Sequence, residues 1–128
     1  MRLSPRIVIV DDERSVRSGL SNLLHSDGYT TADYECGEDV LDDENALTDA
    51  DMLIIDVRLT GMSGFELFAS LKRKCALPPV IFISAEQEEA VQQQAIALGA
   101  ITFLRKPIDV DTLLTLIRSE LFNGGVQG

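Results

Sequence analysis

The sequence predicts an α/β fold, a doubly wound, five-stranded parallel sheet with helices on both faces. Three observations predict it. Short β-branched runs alternate five times with longer segments of helical period, the pattern of strand–helix units joined by right-handed crossovers. The most apolar runs lack the in–out alternation of a half-exposed strand, as in a sheet covered on both sides. The chain has 128 residues, 45% hydrophobic and 25% charged, which suits one domain with enough apolar mass for a core.

The elements follow in order. "RIVIV" (6–10) is a buried strand, and residues 15–26 place Val16, Leu20, Leu23 and Leu24 on one helical stripe, with Gly28 suited to the stop. "YTTAD" (29–33) is a more polar strand, nearer an edge, and residues 37–47 read as a weak, acidic second helix. "DMLIID" (51–56) repeats the opening pattern, a buried strand that ends in a carboxylate. A loop with two glycines (57–64) leads to a third helix at 65–74. A fourth strand at 78–85 is introduced by prolines, and the fourth helix at 86–99 has carboxylates in its first turn, where the helix dipole favours them. A fifth strand (100–107) precedes a helix at 109–121 that starts near Asp109 or Asp111. Residues 1–122 form the expected domain, and 123–128 a flexible tail or the start of a linker.

The formal net charge is −10, which argues against a grip on a nucleic-acid backbone by this domain. Cations, or partners with basic surfaces, fit better. Cys36 and Cys75 form no CxxC and read as structural thiols in a reducing compartment. His25 is the only histidine and falls near a helix end, where it reads as a surface residue. No stretch suits a membrane span or a secretory signal, so a cytoplasmic location is expected.

Ligands of open α/β sheets bind beyond the carboxyl ends of the strands. There the chain sets Asp11 and Asp12 after strand one, Asp56 after strand three, Ser84 after strand four and Lys106 after strand five. Any one of these alone is an ordinary turn or surface residue. Their convergence is informative. It also gives a reason for three consecutive carboxylates, Asp11, Asp12 and Glu13, at the exit of a buried strand. Like charges that close oppose one another's ionisation unless something offsets them. Carboxylates from neighbouring strands offer hard oxygen ligands to Mg²⁺. A carboxylate nucleophile, a metal, a lysine and a hydroxyl together suit phosphoryl transfer. Asp56, on the central strand, is the best nucleophile candidate, which leaves Asp11 and Asp12 for the metal.

The ordered set "VDDE" (10–13), "LIIDVRLTGMSG" (53–64), "FISA" (82–85) and "FLRKP" (103–107) closely resembles the receiver domain of two-component response regulators. The separations, 28 residues from Asp56 to Ser84 and 22 from Ser84 to Lys106, strengthen the signal. The resemblance spans about residues 6–121. It implies a flavodoxin-like sheet of order 2-1-3-4-5. It also implies that Asp56 accepts a phosphoryl group from a sensor histidine kinase or a histidine phosphotransfer protein. Mg²⁺ (or Mn²⁺) would be held by Asp12, Asp56 and the backbone carbonyl of Arg58, with Asp11 acting largely through water. Ser84 and Lys106 would contact the phosphoryl oxygens, and the Lys106–Pro107 bond would be cis. Such a domain is a self-phosphorylating and dephosphorylating phosphoacceptor, not a turnover enzyme.

The same resemblance implies a switch in which Ser84 moves to the phosphoryl group and Phe103 turns inward, altering the surface of helix four, strand five and helix five. That face would serve a homodimer or partner, with Ala90, Val91 and the Leu113–Ile117 stripe helping to build it. Arg58 and Glu86, two residues after Asp56 and Ser84, would tune the phosphoryl lifetime by pairing across the site mouth. Three other readings compete. An Mg²⁺-dependent aspartyl-phosphate hydrolase would carry DxD after strand one and need length for a cap. A flavin carrier would need a phosphate-cradling loop where carboxylates stand. A degenerate receiver would keep the fold as an unphosphorylated interaction module.

Overall fold

The computed structural model describes residues 4–85 and 89–123. Its strands are β1 (Arg6–Val10), β2 (Thr30–Tyr34), β3 (Met52–Asp56), β4 (Val80–Ser84) and β5 (Thr102–Arg105). All pair in parallel, in the order β2-β1-β3-β4-β5. The helices between them are α1 (Arg14–Ser26), α2 (Gly37–Asp42), α3 (Gly64–Lys74), α4 (Glu89–Ala97) and α5 (Val110–Arg118). A wider π-type turn, Ser119–Asn123, continues α5.

Side-chain alternation along the strands divides the core in two. Ile7 and Ile9 of β1, Met52 and Ile54 of β3, and Ile81 and Ile83 of β4 face Leu20 and Leu24 of α1 and Leu113 and Ile117 of α5. The intervening residues Val8, Val10, Leu53, Ile55, Val80 and Phe82 pack with Val40 of α2, Leu67, Phe68 and Leu71 of α3, and Ala95 of α4. Both faces are thus apolar, which explains the unbroken hydrophobic runs. β2 lies at the edge, which is why TTADY can stay polar.

Several expected boundaries shift. α2 stops at Asp42, and residues 43–49 are turns in place of a helix to 47. The reason is local: the Asp43 carboxylate accepts from the Asn45 amide and the Tyr34 hydroxyl, while Arg6 donates to the carbonyls of Ala46 and Thr48. These bonds offer the backbone an alternative to the helix ladder. β4 begins at Val80, after two prolines that lack an N–H to donate. β5 spans four residues, and the cis Lys106–Pro107 bond follows it. Leu113 and Ile117 are fully buried, so in that stripe they take the core role that is the alternative to building an outer face. Among the described residues, no helix is long and apolar enough to cross a membrane.

Candidate functional site

Register brings the acidic strand ends together. Val10 pairs with Ile55, so the next residues, Asp11 and Asp56, emerge side by side from β1 and β3. Asp56 in turn pairs with Ile83, one residue before Ser84. The Lys106 amide extends the β4–β5 ladder by donating to the Ser84 carbonyl at 2.9 Å, which delivers its side chain to the same edge. Among the described residues, Asp11, Asp56 and Ser84 are the buried polar side chains. One oxygen each from Asp11, Asp12 and Asp56 lies within 4.8 Å of the others.

The loop after β3 shapes the surroundings of Asp56. The Arg58 amide donates to Oδ1 of Asp56 at 2.9 Å, a side-chain-to-backbone turn. Gly64 packs so closely that an added Cβ would stand 2.2 Å from the Asp56 carbonyl oxygen. Ser63 and Glu66 form a reciprocal capping box that starts α3 directly after this loop.

Lys106 bridges the carboxylates. Its Nζ lies 2.7 Å from Oδ2 of Asp56, 2.9 Å from Oδ2 of Asp11 and 2.9 Å from Oε1 of Glu13. Burial raises the Asp56 pKa to about 6, against the lowering effect of the Lys106 and Arg58 hydrogen bonds, while the Asp11 charge raises it further. Burial disfavours the Lys106 charge, but the surrounding carboxylates of Asp56, Asp11 and Glu13 more than offset this, so its pKa is raised. The ammonium is therefore fixed as a cation. Oδ2 of Asp11 is buried and close to that cation, yet receives no directed hydrogen bond. A buried carboxylate oxygen in that condition, within an all-oxygen cluster, fits a hard divalent cation.

A protein-family model described as the response regulator receiver domain matches residues 7–118. The chain belongs to that family. This receiver is 35% identical over 121 residues to the C4-dicarboxylate transport transcriptional regulatory protein DctR of Rhodobacter capsulatus, covering 93% of this chain and 61% of that one. It spans 50% and 23% of the length of two further curated relatives. Among solved structures it resembles Vibrio cholerae chemotaxis protein CheY4, with TM-score 0.80 and 27% identity, over 92% of this chain and 99% of that one. It also resembles a Borrelia burgdorferi CheX–CheY–BeF3–Mg complex, with TM-score 0.81 and 26% identity, over 90% of this chain and 87% of that one.

The receiver's structure brings Asp11, Asp12, Asp56 and Lys106 together and sets Ser84 at the adjoining strand end. Phe103 is buried against the α2–α3–α4 side of the sheet, packed inward. Arg58 is exposed beside Asp56, whereas Glu86 lies outside the described residues. Three supporting residues were not foreseen. Thr60 donates to Oδ2 of Asp12 at 3.1 Å, Arg17 donates to the Asp11 carbonyl at 2.7 Å, and Gly64 makes room for the Asp56 carbonyl. Only Gly64 left a trace in the sequence, as the second glycine of the loop. Thr60 and Arg17 act through contacts that spacing does not disclose.

Proposed function

We propose that this receiver accepts a phosphoryl group on Asp56 from the phosphohistidine of a sensor histidine kinase or a histidine phosphotransfer protein. The observation that carries this reading is the contact of Lys106 Nζ with Oδ2 of buried Asp56, flanked by Asp11 and Asp12. With its pKa at about 6, Asp56 is mostly ionised at neutral pH and can attack phosphorus. The new bond joins an Asp56 oxygen to phosphorus as the phosphorus–nitrogen bond to histidine breaks. The Arg58 amide orients the carboxylate through Oδ1. Lys106 then transfers its hydrogen bond to a phosphoryl oxygen, and Ser84 supplies a hydroxyl donor.

Asp11, Asp12, Asp56 and the Arg58 carbonyl would hold Mg²⁺ (or Mn²⁺), which supplies charge neutralisation at the phosphoryl oxygens when bound. The protein acts as a phosphoacceptor that switches a surface, in the cytoplasm, with residues 1–122 as the receiver unit. The partner must reach Asp56 over the surrounding surface. A groove of about 340 Å³ between α1 and residues 107–110 opens beside Lys106, lined by Val16, Leu20, Leu23, Pro107 and Ile108. It offers an apolar seat for a partner helix. Exposed Ile96, Ile101 and Val110 support the α4–β5–α5 face as the switched dimer or partner surface. Arg58, with Glu86, is assigned to phosphoryl lifetime. Borohydride reduction of phosphorylated protein followed by peptide mapping tests the acceptor assignment. Homoserine at position 56 supports it, and homoserine at another aspartate contradicts it.

A further inference from the structure

Glu13 occupies an unusual place. It is the N-cap of α1, where short Ser, Thr, Asp or Asn side chains normally accept a backbone hydrogen bond. Glu13 makes no such side-chain bond. Its carboxylate turns back to accept from Lys106, 93 residues away in the chain, at 2.9 Å. Of the carboxylates around that ammonium, Asp11 and Asp56 are buried, whereas the Glu13 side chain is 58% exposed.

We infer that Glu13 is a latch on Lys106, a positioning residue that holds the ammonium until a phosphoryl oxygen displaces it. The inference rests on the proposed phosphoacceptor role of Asp56. An ammonium has three donors, and the resting site engages all of its reach: hydrogen bonds run to Asp56 and Glu13, and Oδ2 of Asp11 is ion-paired at 2.9 Å. A phosphoryl group on Asp56 must draw one of them away. Asp56 carries the phosphoryl group itself, and Asp11 is enclosed beside Asp12 and Asp56. Glu13 alone can swing into water at little cost, because an exposed carboxylate is readily rehydrated. The latch thus competes with the phosphoryl group for Lys106. It lowers the reactivity of the site towards small anionic phosphodonors, which bring no partner surface to compensate.

The test compares wild type, Glu13→Gln and Glu13→Asp at saturating Mg²⁺. Calorimetry reads the affinity for beryllium fluoride, and intact mass reads the rate of phosphorylation by acetyl phosphate. Gln removes the charge; Asp keeps the charge but loses the reach and is free to cap α1. Both variants should bind beryllium fluoride tighter and react faster, by roughly two- to five-fold, the range of an exposed ion pair. Unchanged or weaker binding in both overturns the latch. So does an Asp variant that behaves as wild type, since bulk charge would then explain the effect. A wild type that takes neither beryllium fluoride nor phosphate overturns the phosphoacceptor reading and the latch with it. Wild-type phosphorylation with unresponsive variants overturns the latch alone.

Discussion

Asp56 binds a proton more tightly in the folded protein than an ordinary aspartate, with a pKa of about 6 against 3.8. A carboxylate raised on folding contributes stability that is fully present below the unfolded value and lost as pH rises through the folded value. In metal-free buffer, wild type should therefore lose stability relative to Asp56→Asn between pH 4 and pH 7. Urea unfolding of both proteins across that range checks this, and a flat difference would contradict it. Saturating Mg²⁺ should shrink the loss, because the cation favours the ionised carboxylate. Gly64 gives a second test at this scale. A methyl group there would collide with the Asp56 carbonyl oxygen, which belongs to backbone and cannot turn aside. Gly64→Ala should cost about 1–3 kcal/mol, in the overpacking range, as a lower urea midpoint. The proposed site residues were legible because each stands at the carboxyl end of a strand or just beyond it. Thr60 and Arg17 were not, because their partners, Asp12 and the Asp11 carbonyl, are contacts across loops.

Elements differ in how firmly their sequences specify them. β1 and β3 are continuous apolar runs that end in carboxylates and fold within a residue of where the pattern puts them, while β4 starts two residues late, after its prolines. α2 ended early because Asp43 and Arg6 bind the backbone and side chains of the following turns, a competition that composition does not reveal. α3 is better marked. Ser63 accepts from the Glu66 amide and Glu66 accepts from the Ser63 amide, directly after the loop that shapes the Asp56 turn. Ser63→Ala should cost about 1 kcal/mol, read from denaturant unfolding, with a smaller effect from Glu66→Gln, which can still accept. Phe103 lies between β5 and the α4 side of the core. Phe103→Ala should cost about 3–5 kcal/mol, measured the same way. A loss well under 1 kcal/mol would show that the ring is not packed as described.

At the scale of the molecule, the strand register gathers carboxylates at the carboxyl ends of β1 and β3. The formal net charge of −10 adds a background field that favours cations over anions. Lys106 offsets part of it at the centre of the cluster. Mg²⁺ at a hundred times its dissociation constant should stabilise the fold by about 2.7 kcal/mol, seen as a rise in Tm that Asp56→Asn reduces. The overall architecture was legible because strand–helix alternation and buried runs leave few topologies. The chain spans 61% of the length of the DctR relative. Intact mass after incubation with acetyl phosphate, with and without Mg²⁺, on wild type and Asp56→Asn shows whether the acidic strand ends form a Mg²⁺-dependent phosphoacceptor. A single phosphate adduct that requires Mg²⁺ and is absent from Asp56→Asn is the predicted result. An adduct that persists in Asp56→Asn, or no adduct at saturating donor and Mg²⁺, would contradict it.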